Sequence, residues 1–238
     1  MTTEHRELRL LLLSNSTQHG ARYLDHAMAE ILDLLGPVRR LLFVPFALHD
    51  RAGYAAKFRE RLAEVGVAVD ELAADASGRD QIERAEAVFG GGGNTFRLLD
   101  TMYRHDFIAP LAERARAGMP YLGASAGINL ACPTIRTTND MPIVQPRSFD
   151  ALGLVPFQIN PHYLDPEPGS AHMGETRAQR IEEFLEENDR VVVGLREGGW
   201  IRTDQRGTRL GGLAGARIFR RGREPEERAP GDALDDLA

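Results

Sequence analysis

The sequence predicts an α/β domain in which a mostly parallel sheet is flanked by helices. Short apolar runs alternate with amphipathic stretches along most of the chain, the pattern of a parallel sheet with helical crossovers. Gly, Pro and Asn punctuate the boundaries, and 238 residues at 42% hydrophobic and 27% charged suit one large α/β domain.

Leu8 to Leu13 reads as the first strand, ending in the polar turn Ser14-Asn15-Ser16-Thr17. Tyr23 to Leu35 carries Leu24, Ala27, Met28, Ile31 and Leu35 on one helical face, and Gly36-Pro37 stops it. Leu41 to Pro45 is a strand, Tyr54 to Val65 a helix closed by Gly66, Val67 to Leu72 a strand and Arg79 to Ala85 a short helix. Ala87 to Phe89 is a strand that runs into four glycines, Gly90 to Gly93. Helices follow over Asn94 to Tyr103 and Ile108 to Ala117, then a strand over Met119 to Gly123. Beyond Ser125 the chain is proline-rich and less regular until a helix over Thr176 to Glu187 and a strand over Val191 to Leu195. Trp200-Ile201-Arg202 begins a hairpin. We therefore expect one domain over residues 1–220, followed by a charged, mobile tail over 221–238.

Bulk properties exclude several classes. A net charge of −6 argues against nucleic acid as the main partner. No run of 18 apolar residues occurs, so no membrane span is expected. The run Leu10 to Leu13 is too short for a secretory signal and reads as a buried strand, which places the protein in the cytoplasm. The single cysteine, Cys132, excludes an intrachain disulfide and suits a reducing compartment. His162 and His172 lack neighbouring ligands at metal-site spacing, so no metal and no cofactor are expected.

Chemistry concentrates at two glycine-rich junctions. Gly123-Ala124-Ser125-Ala126-Gly127 matches G-x-S-x-G, a sharp strand-to-helix turn that lifts a serine hydroxyl above the sheet edge. The helix that follows points free N–H groups at the same place, favouring the negative charge of an acyl-transfer intermediate. Phe89 to Thr95 is a second strand–glycine–helix junction, where backbone N–H groups can converge on an oxyanion. A phosphate loop is the competing reading, but the run lacks the G-K-[ST] ending.

A serine nucleophile needs a base, and the base an orienting group. Of the seven histidines, His162 in Gln158-Ile159-Asn160-Pro161-His162 is the best placed, with Pro161 fixing its approach. Asp140 would complete the order Ser, Asp, His. That order also occurs in α/β-hydrolases, but only 37 residues separate Ser125 from His162, too few for the sheet units those folds interpose.

Taken with Leu12 to Thr17, Gly91 to Phe96, the long run Asn129 to Val144, Gly174 to Arg177 and Glu197-Gly198, these motifs make the sequence resemble the peptidase E family of serine peptidases. The resemblance covers most of residues 8–215. It implies a three-layer, flavodoxin-like sandwich related to class I glutamine amidotransferases, with serine in place of cysteine. It also implies metal-free cleavage of small Asp-Xaa peptides. Carried over, Ser125 is the nucleophile, His162 the base and Asp140 the third member, with Glu197 the alternative acid. The oxyanion donors are the N–H groups of Ala126 and Gly92. Asn94 is expected in substrate binding, and Arg177, Arg180 or Arg136 would meet the substrate aspartate. Ala124 stands where the family often has an aromatic residue, which would reshape the mouth of the pocket. Three rivals remain at this stage: a cyanophycinase-like peptidase, a non-catalytic amidotransferase-like binding domain and a phosphate-ligand sensor. No sequence feature fixes the oligomeric state, and a homodimer stays open.

Overall fold

Leu10–Leu13 (β1) is buried along its whole length, and the larger of two sheets is assembled around it. The computed structural model describes residues 8–166 and 174–237, so the expectation placed on His172 lies outside it. Four further strands run parallel to β1: β2 (Arg40–Val44), β3 (Ala68–Glu71), β4 (Val88–Gly90) and β5 (Tyr121–Ala124). The hairpin β8 (Gly199–Asp204) and β9 (Gly207–Gly212) extends the sheet antiparallel, giving the order β3-β2-β4-β5-β1-β8-β9.

Alternation along these strands splits the core into two layers. Leu11, Leu13, Phe43, Phe89 and Leu122 face the helices α1 (Met28–Leu35) and α2 (Arg51–Ala63). Leu10, Leu12, Val44, Val88 and Tyr121 face α3 (Ser77–Arg84), α4 (Thr95–Arg104), α5 (Ile108–Arg116) and α6 (Ala126–Ala131). Both layers were expected, with shifted ends. The helix expected from Tyr23 starts only at Met28, after a 3-10 turn over Asp25–Ala27, because Leu24 sits at φ 62°, outside helical space. Helix α2 starts three residues early because the Asp50 side chain accepts the Gly53 N–H at 2.9 Å and caps it.

A second sheet was not legible in the sequence. It holds β6 (Gln158–Tyr163), β7 (Val192–Arg196), β10 (Ala216–Phe219) and β11 (Glu226–Arg228) in the order β11-β10-β7-β6. Ile159, Val193, Leu195 and Ile218 turn inward to the core beneath α6, while α7 (Arg177–Glu187) lays Ile181 and Leu185 on Tyr163, Val192 and Phe219. Thr176 and Gln179 close a capping box at the start of α7.

The tail is a correction to the sequence reading. Residues 226–228 pair with β10, the Leu234 N–H bonds Thr208 O at 2.8 Å, and Leu234 and Leu237 are buried. Part of its charge is paired: Asp236 takes both Arg220 and Arg228, at 3.1 and 2.8 Å. Composition alone hid these partners, because charge opposes order only where it is unpaired.

The glycines of the elbow are dictated by packing. A Cβ on Gly127 would lie 2.1 Å from Gly90 O, and one on Gly123 would lie 2.6 Å from Gly127 O. Both obstacles are backbone, so neither can swing aside. Gly127→Ala is expected to cost about 3 kcal/mol in urea unfolding, an overpacking penalty at the high end.

Candidate active site

Ser125 sits between β5 and α6 at φ 52°, ψ −112°, a conformation costly for any residue with a Cβ. Its N–H donates to Leu13 O at 3.0 Å, which ties the turn to the end of β1. The turn delivers the Oγ to His162, whose Nε2 lies 2.8 Å away.

His162 reaches that position through a bulge. Strands β6 and β7 pair in register from Gln158 to Asn160, and then one extra residue on β6 shifts the register before Tyr163. Pro161 and His162 occupy the shift, with His162 at φ 52°. Strand β6 is an edge, where a proline leaves no ladder bond unmade. This irregularity explains why no strand periodicity was visible here: the device that aims the imidazole also breaks the pattern.

The polar turn after β1 locks the arrangement. Ser14 Oγ accepts the His162 N–H at 2.9 Å and donates to Leu195 O at 2.8 Å, bridging β6 and β7 while wholly buried. Asn15 Oδ1 accepts the Gly198 N–H at 2.8 Å, which fixes the turn carrying Glu197. Sequence alone marks Ser14 and Asn15 as part of a motif without assigning them a role. Their signal was two uncharged polar residues directly after a wholly apolar strand.

Glu197 is the acid against the imidazole, its Oε1 lying 2.6 Å from His162 Nδ1. Asp140 is engaged elsewhere, which corrects its expected place as the orienting acid. Its Oδ2 accepts the Thr95 N–H at 2.7 Å, the Thr95 hydroxyl at 2.6 Å and the Thr138 hydroxyl at 3.1 Å. Those bonds neutralise the N-terminus of α4, where backbone donors are unpaired and a carboxylate is favoured. The Asn129–Val144 segment that holds Asp140 is sewn to β6 by Asn129, Thr137 and Asn160. The first two donate to Ile159 O at 2.9 Å, and Asn160 donates to Thr137 O at 2.9 Å.

Of the two residues expected as oxyanion donors, Ala126 follows Ser125 directly as the first residue of α6, and Gly92 lines the cleft. Gly92 packs on Ser125, since a Cβ on Gly92 would lie 3.2 Å from the serine Cβ. Its N–H, however, donates to Tyr54 Oη at 2.8 Å. Among the described residues the N–H groups of Ala126 and Gly93 donate to nothing. Ala124 is buried in the layer facing α1 and α2, so its small size does not reshape the cleft mouth.

The expected substrate-binding residues are spread around α4 and α7. Asn94 caps α4, accepting the Arg97 N–H at 3.0 Å and donating to Met141 O at 2.9 Å. Arg136 lies over the Phe149 ring, 4.9 Å from its centroid. Arg180 pairs with Glu175 at 3.3 Å. Arg177 is partly buried and forms no ion pair among the described residues. Burial, reinforced by the charge of Arg180, holds its pKa below the ordinary guanidinium value, while the Asp140 charge opposes this.

Cys132 is fully buried at the end of α6, and burial pushes its thiol pKa up to about 12. It is therefore expected to resist iodoacetamide in the folded protein and to react only in denaturant, as mass spectrometry would record.

An exposed-mouthed cleft of about 550 Å³ opens at Ser125 and His162. It joins a hydroxyl, an imidazole, a carboxylate in line and the glycine run that carries the unpaired Gly93 N–H, the groups that acyl transfer by a serine uses. Comparison with known proteins agrees. A model of Peptidase family S51 matches residues 10–211. The chain is 54% identical over 230 residues to a peptidase E of Streptomyces coelicolor, covering 97% of this chain and 95% of that one. It is 46% identical over 224 residues to a Drosophila melanogaster protein named "Probable alpha-aspartyl dipeptidase", covering 93% of each. Among solved structures, a peptidase from an acI-B1 Actinobacterium shares the fold at a TM-score of 0.70 and 17% identity, covering 98% of each chain.

Proposed function

Because the chain belongs to peptidase family S51, we propose that it is a serine-type aspartyl dipeptidase that cuts after the N-terminal aspartate of Asp-Xaa peptides. The observation that carries this reading is the unbroken hydrogen-bond line from Ser125 Oγ through His162 to Glu197, 2.8 and 2.6 Å long.

Ser125 attacks the aspartyl carbonyl while His162 Nε2 takes its proton. Glu197 holds the Nδ1 proton and stabilises the imidazolium that forms. The tetrahedral oxyanion is met by the N–H of Ala126 and by that of Gly93, since Tyr54 occupies the Gly92 N–H. Each such donor is worth about 100- to 1000-fold in rate. His162 then protonates the leaving amine, and water releases aspartate from the acyl-enzyme.

Arg177 is the cation for the substrate aspartate. Three observations favour it over Arg180 and Arg136: it is partly buried, it lies close enough to Asp140 to feel its charge, and no acid pairs with it among the described residues. A guanidinium fork takes both oxygens of a carboxylate, which suits aspartate over asparagine. The reading places the enzyme in the cytoplasm, supported by its one buried thiol. Among the described residues no helix is long and apolar enough to cross a membrane.

A dipeptide panel varying only the first residue tests the proposal. Asp-Leu should be hydrolysed far faster than Glu-Leu, Asn-Leu or a β-linked Asp-Arg substrate. A preference for the β-linked substrate would replace the reading with a cyanophycinase-like one, and inactivity on every substrate would remove it.

A further inference from the structure

Helix α2 lines the cleft that holds the nucleophile, through Gly53, Tyr54 and Lys57. Tyr54, on its second turn, holds the Gly92 N–H beside Ser125. Lys57 follows Tyr54 by three residues and so leaves the same helix face one turn further along. It is the only lysine of the chain. Among the described residues it is also the only Lys or Arg lining the cleft, whose other formal charges are the acids Asp50 and Glu197.

The ammonium group is held in place but unpaired. It stands 5.0 Å from the Tyr23 ring centroid, a cation–π contact that orients the flexible stem without neutralising the charge. No carboxylate among the described residues lies within ion-pair distance of it. Glu60, the nearest acid in the sequence, forms no ion pair with it among the described residues, and Asp50 caps α2 through the Gly53 N–H.

An Asp-Xaa dipeptide brings two carboxylates, one on its first side chain and one at its C-terminus. The side-chain carboxylate is assigned above to Arg177, which leaves the C-terminal carboxylate to be met, and Lys57 is the cation lining this cleft. We infer that Lys57 binds the C-terminal carboxylate of the dipeptide and so sets a preference for dipeptides over longer or C-terminally blocked peptides. The inference rests on the aspartyl dipeptidase reading. Each added residue carries the terminal carboxylate roughly 3.5 Å further along an extended chain and past the ammonium, so one fixed cation measures peptide length.

The test compares kcat/KM for Asp-Leu with that for Asp-Leu amide, which lacks the terminal charge. The unaltered protein should favour the free acid by about tenfold, with the difference in KM, as suits one charge-assisted contact at a solvent-open site. Lys57→Met should bring the ratio near one, and Lys57→Arg should keep most of the preference. Because Lys57 is exposed, neither change threatens the fold. No preference in the unaltered protein, a ratio unmoved in Lys57→Met, or equal losses on both substrates would each overturn the inference while leaving the dipeptidase reading intact. Inactivity of the unaltered protein on every aspartyl peptide would instead overturn that reading, and this inference with it.

Discussion

Ser125→Ala is expected to lower kcat/KM for Asp-Leu by about 10⁵-fold or more, because the acyl-enzyme loses its attachment point while binding and oxyanion donors remain. Stability should hardly move. Alanine at φ 52°, ψ −112° bears the same backbone strain as serine, and the hydroxyl removed bonds only His162. Ser125→Gly makes the test sharper. These dihedrals lie near the first central position of a type II′ turn, where glycine is at home. Relief of the Cβ penalty should raise stability by about 1 kcal/mol while activity stays as low as in the alanine variant. A site that becomes more stable as it becomes inactive stores strain for its chemistry. Urea unfolding beside dipeptide hydrolysis measures both quantities, and an alanine variant retaining full turnover would remove Ser125 from the mechanism.

What could be read from the sequence followed from regularity. The parallel strands of the large sheet announce themselves because β1, β2, β4 and β5 are buried on both faces and carry almost unbroken apolar runs. The elbow was equally legible, since Gly123 and Gly127 are demanded by contacts within a few residues and with the neighbouring strand. The small sheet was not, for three separate reasons. Strand β6 is broken by Pro161 and a bulge, β11 consists of glutamate and arginine, and the β6–β7 and β7–β10 pairings join strands with a helix or a hairpin between them in the chain. The same contrast holds at the site. Ser125 and His162 could be chosen from local context, but the choice between Asp140 and Glu197 depends on how β7 lies beside β6. Asp140 stands in the more distinctive motif, and that distinctiveness reflects its bonds to Thr95 and Thr138.

Exchanging each acid for its amide separates these two roles. In Glu197→Gln the amide can present a donor to His162 Nδ1, favouring the tautomer whose Nε2 carries the proton and cannot accept one from Ser125. The geometry survives and the base does not, so kcat should fall by about 10⁴-fold with KM nearly unchanged. Asp140→Asn leaves the line Ser125–His162–Glu197 intact. It removes a charge that caps α4 and faces Arg177, so it should cost about 1 kcal/mol of stability. Its kinetic effect should fall mainly on KM for aspartyl substrates, through loss of the charge beside Arg177. The comparison is decisive because both changes are isosteric and remove one negative charge, so size and net charge cannot account for a difference. If Asp140→Asn were to lose kcat as steeply as Glu197→Gln does, with KM unmoved, the acid that matters to the imidazole in turnover would not be the one hydrogen-bonded to it at rest.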